Sequence, residues 1–116
     1  MRRGDLFLAD LNPVIGSEAA KRRPVIVVST SAANRGAMSR GQGVITVVPV
    51  TSNTARVYPF QVRLPADPMI GLTRDSKAQA EQIRSIDVAR LTHQLGSLPP
   101  ALLRRLDDAL RLHLEL

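Results

Sequence analysis

A chain of 116 residues, 44% of them hydrophobic, has room for one modest core, so a single domain over residues 1–116 is expected. Two Phe, one Tyr and no Trp make that core aliphatic, and the lack of cysteine excludes a disulfide scaffold, a thiol nucleophile and a thiolate metal site. The net charge of +6 sits wholly in residues 1–63, where nine Arg and Lys face three acids, while residues 64–116 balance seven against seven.

Such a basic footprint suits a phosphate-bearing partner, although fourteen Arg to two Lys is equally the mark of a GC-rich genome. The first apolar run is short and broken by Asp10, which is not the pattern of a signal peptide. No stretch approaches the roughly 18 apolar residues of a membrane span. The expectation is a cytoplasmic protein with no membrane partner.

In chain order, Leu6–Leu11 reads as a first strand, with Phe7, Ala9 and Leu11 on one face and Leu6, Leu8 and Asp10 on the other. Residues 12–23 read as a long polar connection. Pro24 then opens Val25–Ser29, a continuous β-branched run of the buried type. Residues 30–43 are polar and Gly-rich and read as a mobile loop with room for one helical turn. Val44–Val50 is a further β-branched strand, stopped by Pro49 and the Thr51-Ser52-Asn53-Thr54 cluster. Phe60–Leu64 alternates, with Phe60, Val62 and Leu64 on one face and Gln61 and Arg63 on the other. Residues 65–76 read as loop, and Lys77–Ile86 as one more polar strand carrying Glu81, Gln82 and Arg84. The period then changes. Ser97 is positioned as an N-cap, Pro99 and Pro100 suit a first turn, and Leu102, Leu103, Leu106, Ala109 and Leu110 form a helical stripe. Arg104 and Arg105 stand at helical spacing to Asp108. Short strands followed by one amphipathic helix predict a small curled antiparallel sheet or barrel with a packed helix.

Metal-dependent phosphodiester chemistry needs clustered carboxylates or His. Only His93 and His113 exist, both in the C-terminal half, and Asp107-Asp108 point to different helix faces. An enzyme built on this chain is expected to work without metal or other cofactor and without His. The segment Gly16–Pro24 has a different logic. Its Gly16-Ser17 start lets backbone donors face an anion, Glu18 supplies a carboxylate, and Lys21-Arg22-Arg23 end at a rigid Pro24. An Arg there can present its planar fork to a phosphate. By itself such a basic loop is more often a solvated face. Thr51 and Ser52, at a strand end, can bond a phosphate oxygen or their own local backbone.

Taken in order and spacing, Arg3-Gly4-Asp5, Leu11-Asn12-Pro13, Gly16-Ser17-Glu18, Arg23-Pro24-Val25, Val48-Pro49-Val50-Thr51-Ser52, Tyr58-Pro59-Phe60 and Glu81-Gln82-Ile83-Arg84-Ser85-Ile86-Asp87 resemble the MazF/PemK toxin family over nearly the whole chain. The resemblance implies an SH3-like small barrel of antiparallel strands with a C-terminal helix, assembled as a homodimer. It implies the toxin of a type II toxin–antitoxin system, a sequence-specific endoribonuclease that cuts single-stranded RNA by 2′-hydroxyl attack to give 2′,3′-cyclic phosphate and 5′-hydroxyl ends. It also implies a cognate MazE-like antitoxin whose acidic C-terminal tail occupies the RNA groove.

By that resemblance Arg23 and Thr51 are the main catalytic positions, with Glu18 and Ser52 in support. Arg is a poor base. Arg23 is therefore expected to stabilise the phosphorane and deliver the leaving-group proton, and Thr51 to position the phosphate or the 2′-hydroxyl. Members of the family differ in the base, and Glu18 and Glu81 both qualify; Glu81 reads equally as an ion-pair partner of Arg84. Lys21, Arg22, Arg56 and Arg63 are expected to grip the RNA backbone, and Ser17, Ser52, Asn53, Gln82 and Arg84 to contribute to RNA binding and sequence choice. Ala19 and Lys21 depart from the family's commoner Gln and Gly. Two readings of other classes stand beside this one: a toxin of the same fold that binds gyrase, and a non-catalytic RNA-binding barrel.

Overall fold

The computed structural model describes every residue except Val14 and Ala20. Its elements are β1 (Asp5–Asp10), β2 (Arg22–Val27), α1 (Ser31–Arg40), β3 (Val44–Thr51), β4 (Gln61–Leu64), β5 (Ser76–Gln79), β6 (Arg84–Asp87), β7 (Leu91–Ser97) and α2 (Pro100–Leu114). Short 3-10 turns at Ala80–Gln82 and Val88–Arg90 flank β6. The strands form one antiparallel sheet in the order β4-β5-β3-β2-β1-β7, with β6 added on β3. This is the expected class, mainly antiparallel β with a C-terminal helix.

The β-branched run of β3 makes it the hub. Its first half, Val44–Val47, pairs with β6, its end, Val50–Thr51, pairs with β5, and Val47–Pro49 pair with β2. Alternation along the strands sends side chains to two cores. Leu6, Ile26, Val48 and Val50 join Val62, Leu64 and Ile70 beneath α2, whose Leu106, Ala109 and Leu110 are buried there with Leu102 and Leu103 packed alongside. Phe7, Ala9, Leu11, Val25, Val27 and Val47 form the second core with Ile45, Ile86 and Ala37 of α1. The two faces of β1 and the stripe of α2 are thus the predicted ones.

The sheet curls without closing into a continuous ladder. Loop 65–75, between β4 and β5, reaches β7 at the other end of the strand order, where the Ser97 amide donates to the Met69 carbonyl (3.1 Å). Two glycines permit this approach. A Cβ on Gly71 would strike the Leu95 carbonyl, and one on Gly96 would strike the backbone of Met69 and Ile70.

Several expectations need correction. Residues 30–43 hold the three-turn helix α1, not a loop. Thr30 caps it by accepting from the Ala33 amide, and Gly41 ends it in the left-handed region. Only Asn34 and Ala37 of this helix are buried, so it has no apolar stripe to reveal it. Pro24 does not open β2, which starts two residues earlier; residues 22–24 pair with β1 alone. Proline is tolerated on such an edge. Pro49 likewise does not stop β3 but lies inside it. The strand expected over Lys77–Ile86 is broken by the turn at Ala80–Gln82, so Glu81 and Gln82 lie off the strands. Phe60 precedes β4, and Gln61 is buried instead of facing out: its carboxamide accepts from the Tyr58 amide and donates to Glu81. β7 was not anticipated. Ser97 is not the α2 cap but a β7 residue whose hydroxyl donates to Asp5 (2.8 Å), and the helix opens on Pro99 and Pro100. Asp108 pairs with Arg111 instead of Arg104 or Arg105, and Asp107 with the distant Arg3 (2.6 Å).

Gly96 has ordinary backbone angles, so its substitution tests the contact alone. Gly96→Ala should lose about 1–3 kcal/mol of stability through overpacking, read as a lower urea midpoint at unchanged m-value.

Candidate active site

The site originates where β2 and β3 part. They share three rungs, Val27↔Val47, Ile26↔Val48 and Val25↔Pro49. The next positions on the same register would be Pro24 opposite Val50, Arg23 opposite Thr51 and Arg22 opposite Ser52. These rungs do not form. Antiparallel partners alternate between exchanging two hydrogen bonds and none, so Pro24 and Pro49, which lack an amide hydrogen, deprive either phase of the ladder of a donor at this point. β2 continues along β1, pairing Arg23 with Ala9, while β3 turns to β5, pairing Thr51 with Lys77.

A cleft of about 450 Å³ opens in the fork. It is lined by Arg22, Arg23 and Pro24 of β2, by Thr51 and Ser52 at the end of β3, by Thr73 and Arg74 of loop 65–75, and by the aliphatic Leu8, Val50, Leu72 and Leu95. Arg23 and Thr51 are half-buried, and Arg22, Ser52, Thr73 and Arg74 are exposed. Thr51 Oγ1 accepts from the Asn53 amide (3.2 Å), which leaves its O–H to donate elsewhere. Among the described residues no carboxylate belongs to the lining. Three arginines and the two hydroxyl residues at the end of β3 therefore line a space suited to an anion, and cationic and hydroxyl donors held at such a site can stabilise negative charge that develops in a transition state.

The other sequence-derived residues are distributed around this cleft. Glu18 is exposed and accepts from the Ile15 amide (2.6 Å), outside the lining. Glu81 accepts from Gln61 through Oε2 (2.7 Å), and its Oε1 is buried without a hydrogen-bond partner among the described residues. It forms no ion pair with Arg84, which reaches the Leu11 carbonyl instead (3.5 Å). Gln82 holds the β1–β2 loop, accepting from the Ala19 amide (3.0 Å) and donating to the Ser17 carbonyl (3.2 Å). Lys21 takes a positive φ of 67°, and its amide donates to Asn12. Asn53 accepts from the Ala55 amide (3.2 Å). Arg56 lies over the Tyr58 ring at 5.5 Å and donates to its hydroxyl; that hydrogen bond, and then the phenol's charge, raise the guanidinium pKa further. Arg63 is exposed on β4, away from the cleft. Among the described residues no group of three His, Asp or Glu gathers as metal ligands, and no helix is long and apolar enough to cross a membrane.

Thr73 and Arg74 were missed. Loop 65–75 carries no sequence pattern that points to a site, and only its docking on β7 brings it to the fork.

Residues 2–114 match the family described as PemK-like, MazF-like toxin of type II toxin-antitoxin system. The chain is 57% identical over 116 residues to endoribonuclease MazF9 of Mycobacterium tuberculosis, covering 100% of this chain and 98% of that one. It superposes on the crystal structure of MazF from Deinococcus radiodurans with a TM-score of 0.81 at 31% identity, covering 100% and 97% of the two chains. An endoribonuclease from a mycobacterial species, solved in complex with its cognate antitoxin, gives a TM-score of 0.75 at 26% identity over 100% and 96%.

Ala19 is buried and its amide is met by Gln82. Gln82→Ala should leave that donor unpaired at a local cost of about 1–3 kcal/mol. The expected readout is faster hydrogen exchange at the Ala19 amide with core protection unchanged.

Proposed function

The chain belongs to the PemK-like, MazF-like toxin family of type II toxin–antitoxin systems, and from that premise we propose that it is a single-domain, metal-independent, sequence-specific endoribonuclease acting on single-stranded RNA. The observation that carries this reading is that Arg23 and Thr51 line one cleft where β2 and β3 part. The RNA's own 2′-hydroxyl attacks phosphorus and the 5′-oxygen leaves, giving a 2′,3′-cyclic phosphate and a 5′-hydroxyl. No outside nucleophile is needed, and the guanidinium charge of Arg23 meets the charge of the phosphorane. Thr51 donates its hydroxyl hydrogen to a phosphate oxygen, Ser52 supports it, and Arg23 hands a proton to the departing 5′-oxygen.

The 2′-proton goes to a carboxylate. Glu18 lies on the exposed loop that leads into Lys21-Arg22-Arg23, and Glu81 has one oxygen held by Gln61 and one unbonded. Arg22 and Lys21 grip the RNA backbone, with Arg56 and Arg63 further along the basic face. Asn53 and Arg84 contribute to sequence choice. Gln82 and Ser17 act through the loop they brace. The solved antitoxin complex of a mycobacterial relative supports a cognate antitoxin here. Its acidic C-terminal tail would occupy this cationic cleft. The protein works as a homodimer in the cytoplasm.

Purified protein should cut a long RNA pool in EDTA to give 5′-hydroxyl ends at a recurring short sequence. Arg23→Ala should lower kcat by about 10²–10³ or more with the fold intact, and near-normal cleavage by that variant would remove Arg23 from the mechanism. RNA bound but left whole by the wild-type chain would favour a non-catalytic barrel, and neither binding nor cleavage would favour the gyrase-binding reading.

The base is separable by pH. A general base acts deprotonated, so the rate rises with pH through its pKa. Of Glu18→Gln and Glu81→Gln, the variant that flattens this acid limb of the kcat/KM profile identifies it; an unaltered limb in both would exclude both carboxylates.

A further inference from the structure

Resting on the endoribonuclease reading, we propose that Arg74 is a substrate-binding residue that holds a backbone phosphate of the RNA strand in the cleft lined by Arg22 and Arg23. Three observations lead there. Arg74 lines the same cleft as Arg23 and Thr51 but comes from a different element, loop 65–75. Among the described residues no carboxylate lines that cleft to compete for the third guanidinium. Arg74 is exposed, and its side chain makes no hydrogen bond or ion pair with another described residue, unlike Arg3, Arg56, Arg84, Arg90 and Arg111.

Its backbone, by contrast, is tied down. The Arg74 carbonyl accepts from the Ser76 hydroxyl (2.9 Å), the Asp75 carboxylate accepts from the Ala66 amide (2.8 Å), and Gly71 seats the loop against β7. A held backbone with an uncommitted guanidinium is the arrangement of a residue that waits for an external anion. Arg22 and Arg23 come from one strand, and Arg74 adds a cation from a separate loop to the same cleft, which Leu8, Val50, Leu72 and Leu95 also line. A polyanion in the cleft meets charge from two elements, and Arg74 lies on a loop apart from the strands that carry Arg23 and Thr51, so it should contribute mainly to strand binding and little to the chemical step.

The test begins with the cleavage sequence mapped from the RNA pool. An oligoribonucleotide of that sequence, with a single 2′-deoxy sugar at the cut position, then serves as an uncleavable ligand for the full chain. Arg74→Ala should weaken its binding about tenfold at moderate salt. The slope of log K against log salt should fall by about 0.7, the value for one phosphate contact on a single strand. On the cleavable RNA, KM should rise while kcat stays within a few-fold. Arg74→Lys, which keeps the charge, should recover most of the affinity and the slope. An unchanged affinity and salt slope in Arg74→Ala, beside a wild-type chain that cuts RNA, would overturn this inference alone. So would a loss of kcat at unaltered affinity. A wild-type chain that neither binds nor cuts RNA would overturn the function itself and this inference with it.

Discussion

The fork between β2 and β3 is the constraint on which the rest of the site depends. These strands lie side by side for only three rungs before β2 follows β1 and β3 follows β5. Pro24 and Pro49 sit at the point of parting and remove an amide hydrogen from each strand, so the ladder cannot extend without an unmet carbonyl. If it did extend, Arg23 and Thr51 would be neighbours in a sealed sheet. Because it does not, both residues line an open cleft instead.

A cleft in a sheet this small needs support on every side. Loop 65–75 supplies one wall and depends on Gly71 and Gly96 for its approach to β7. The β1–β2 loop is held by the Gln82 carboxamide from the turn between β5 and β6. At the far end of the molecule, Arg3 donates to both the Val28 carbonyl (2.8 Å) and Asp107 (2.6 Å), tying the start of β1 and the end of β2 to α2. Most of these ties bond a side chain to backbone of a remote segment. They set the position of loops more than they add to overall stability, since one such hydrogen bond nets only about 0.5–1.5 kcal/mol.

The electrostatic design follows from which cations are committed elsewhere. Arg84 and Arg90 are spent on carbonyls of residues 10–12, Arg3 and Arg111 on Asp107 and Asp108, and the buried Lys77 ammonium on the Arg56 carbonyl (2.5 Å). From the basic half of the chain, Arg22 and Arg23 line the cleft, and Arg74 joins them there from the charge-balanced half. A counted net charge says which half of the sequence is basic; the fold decides which of its cations share one space.

The class of fold was legible in the sequence because it rests on periodicity. Alternation in β1, the β-branched runs of β2 and β3, and the stripe from Leu102 to Leu110 are local patterns, and the core they imply is the core observed. The ordered motifs likewise pointed to the family and to Arg23 and Thr51. What those patterns did not carry is non-local. Helix α1 depends on caps at Thr30 and Gly41 instead of an apolar face, and the Lys77–Ile86 segment breaks at Glu81 although its composition continues. Gln82 is a brace because Ala19 and Ser17 lie beside it, 63 and 65 residues away in sequence. Arg74 is a cleft residue because two glycines let its loop cross to β7. The sequence by itself determined the fold class, the faces of β1, the buried runs of β2 and β3, the stripe of α2 and the candidate site residues Arg23 and Thr51. Only the tertiary structure decided which of those residues share one space, because that follows from where strands part and which distant backbone a side chain meets.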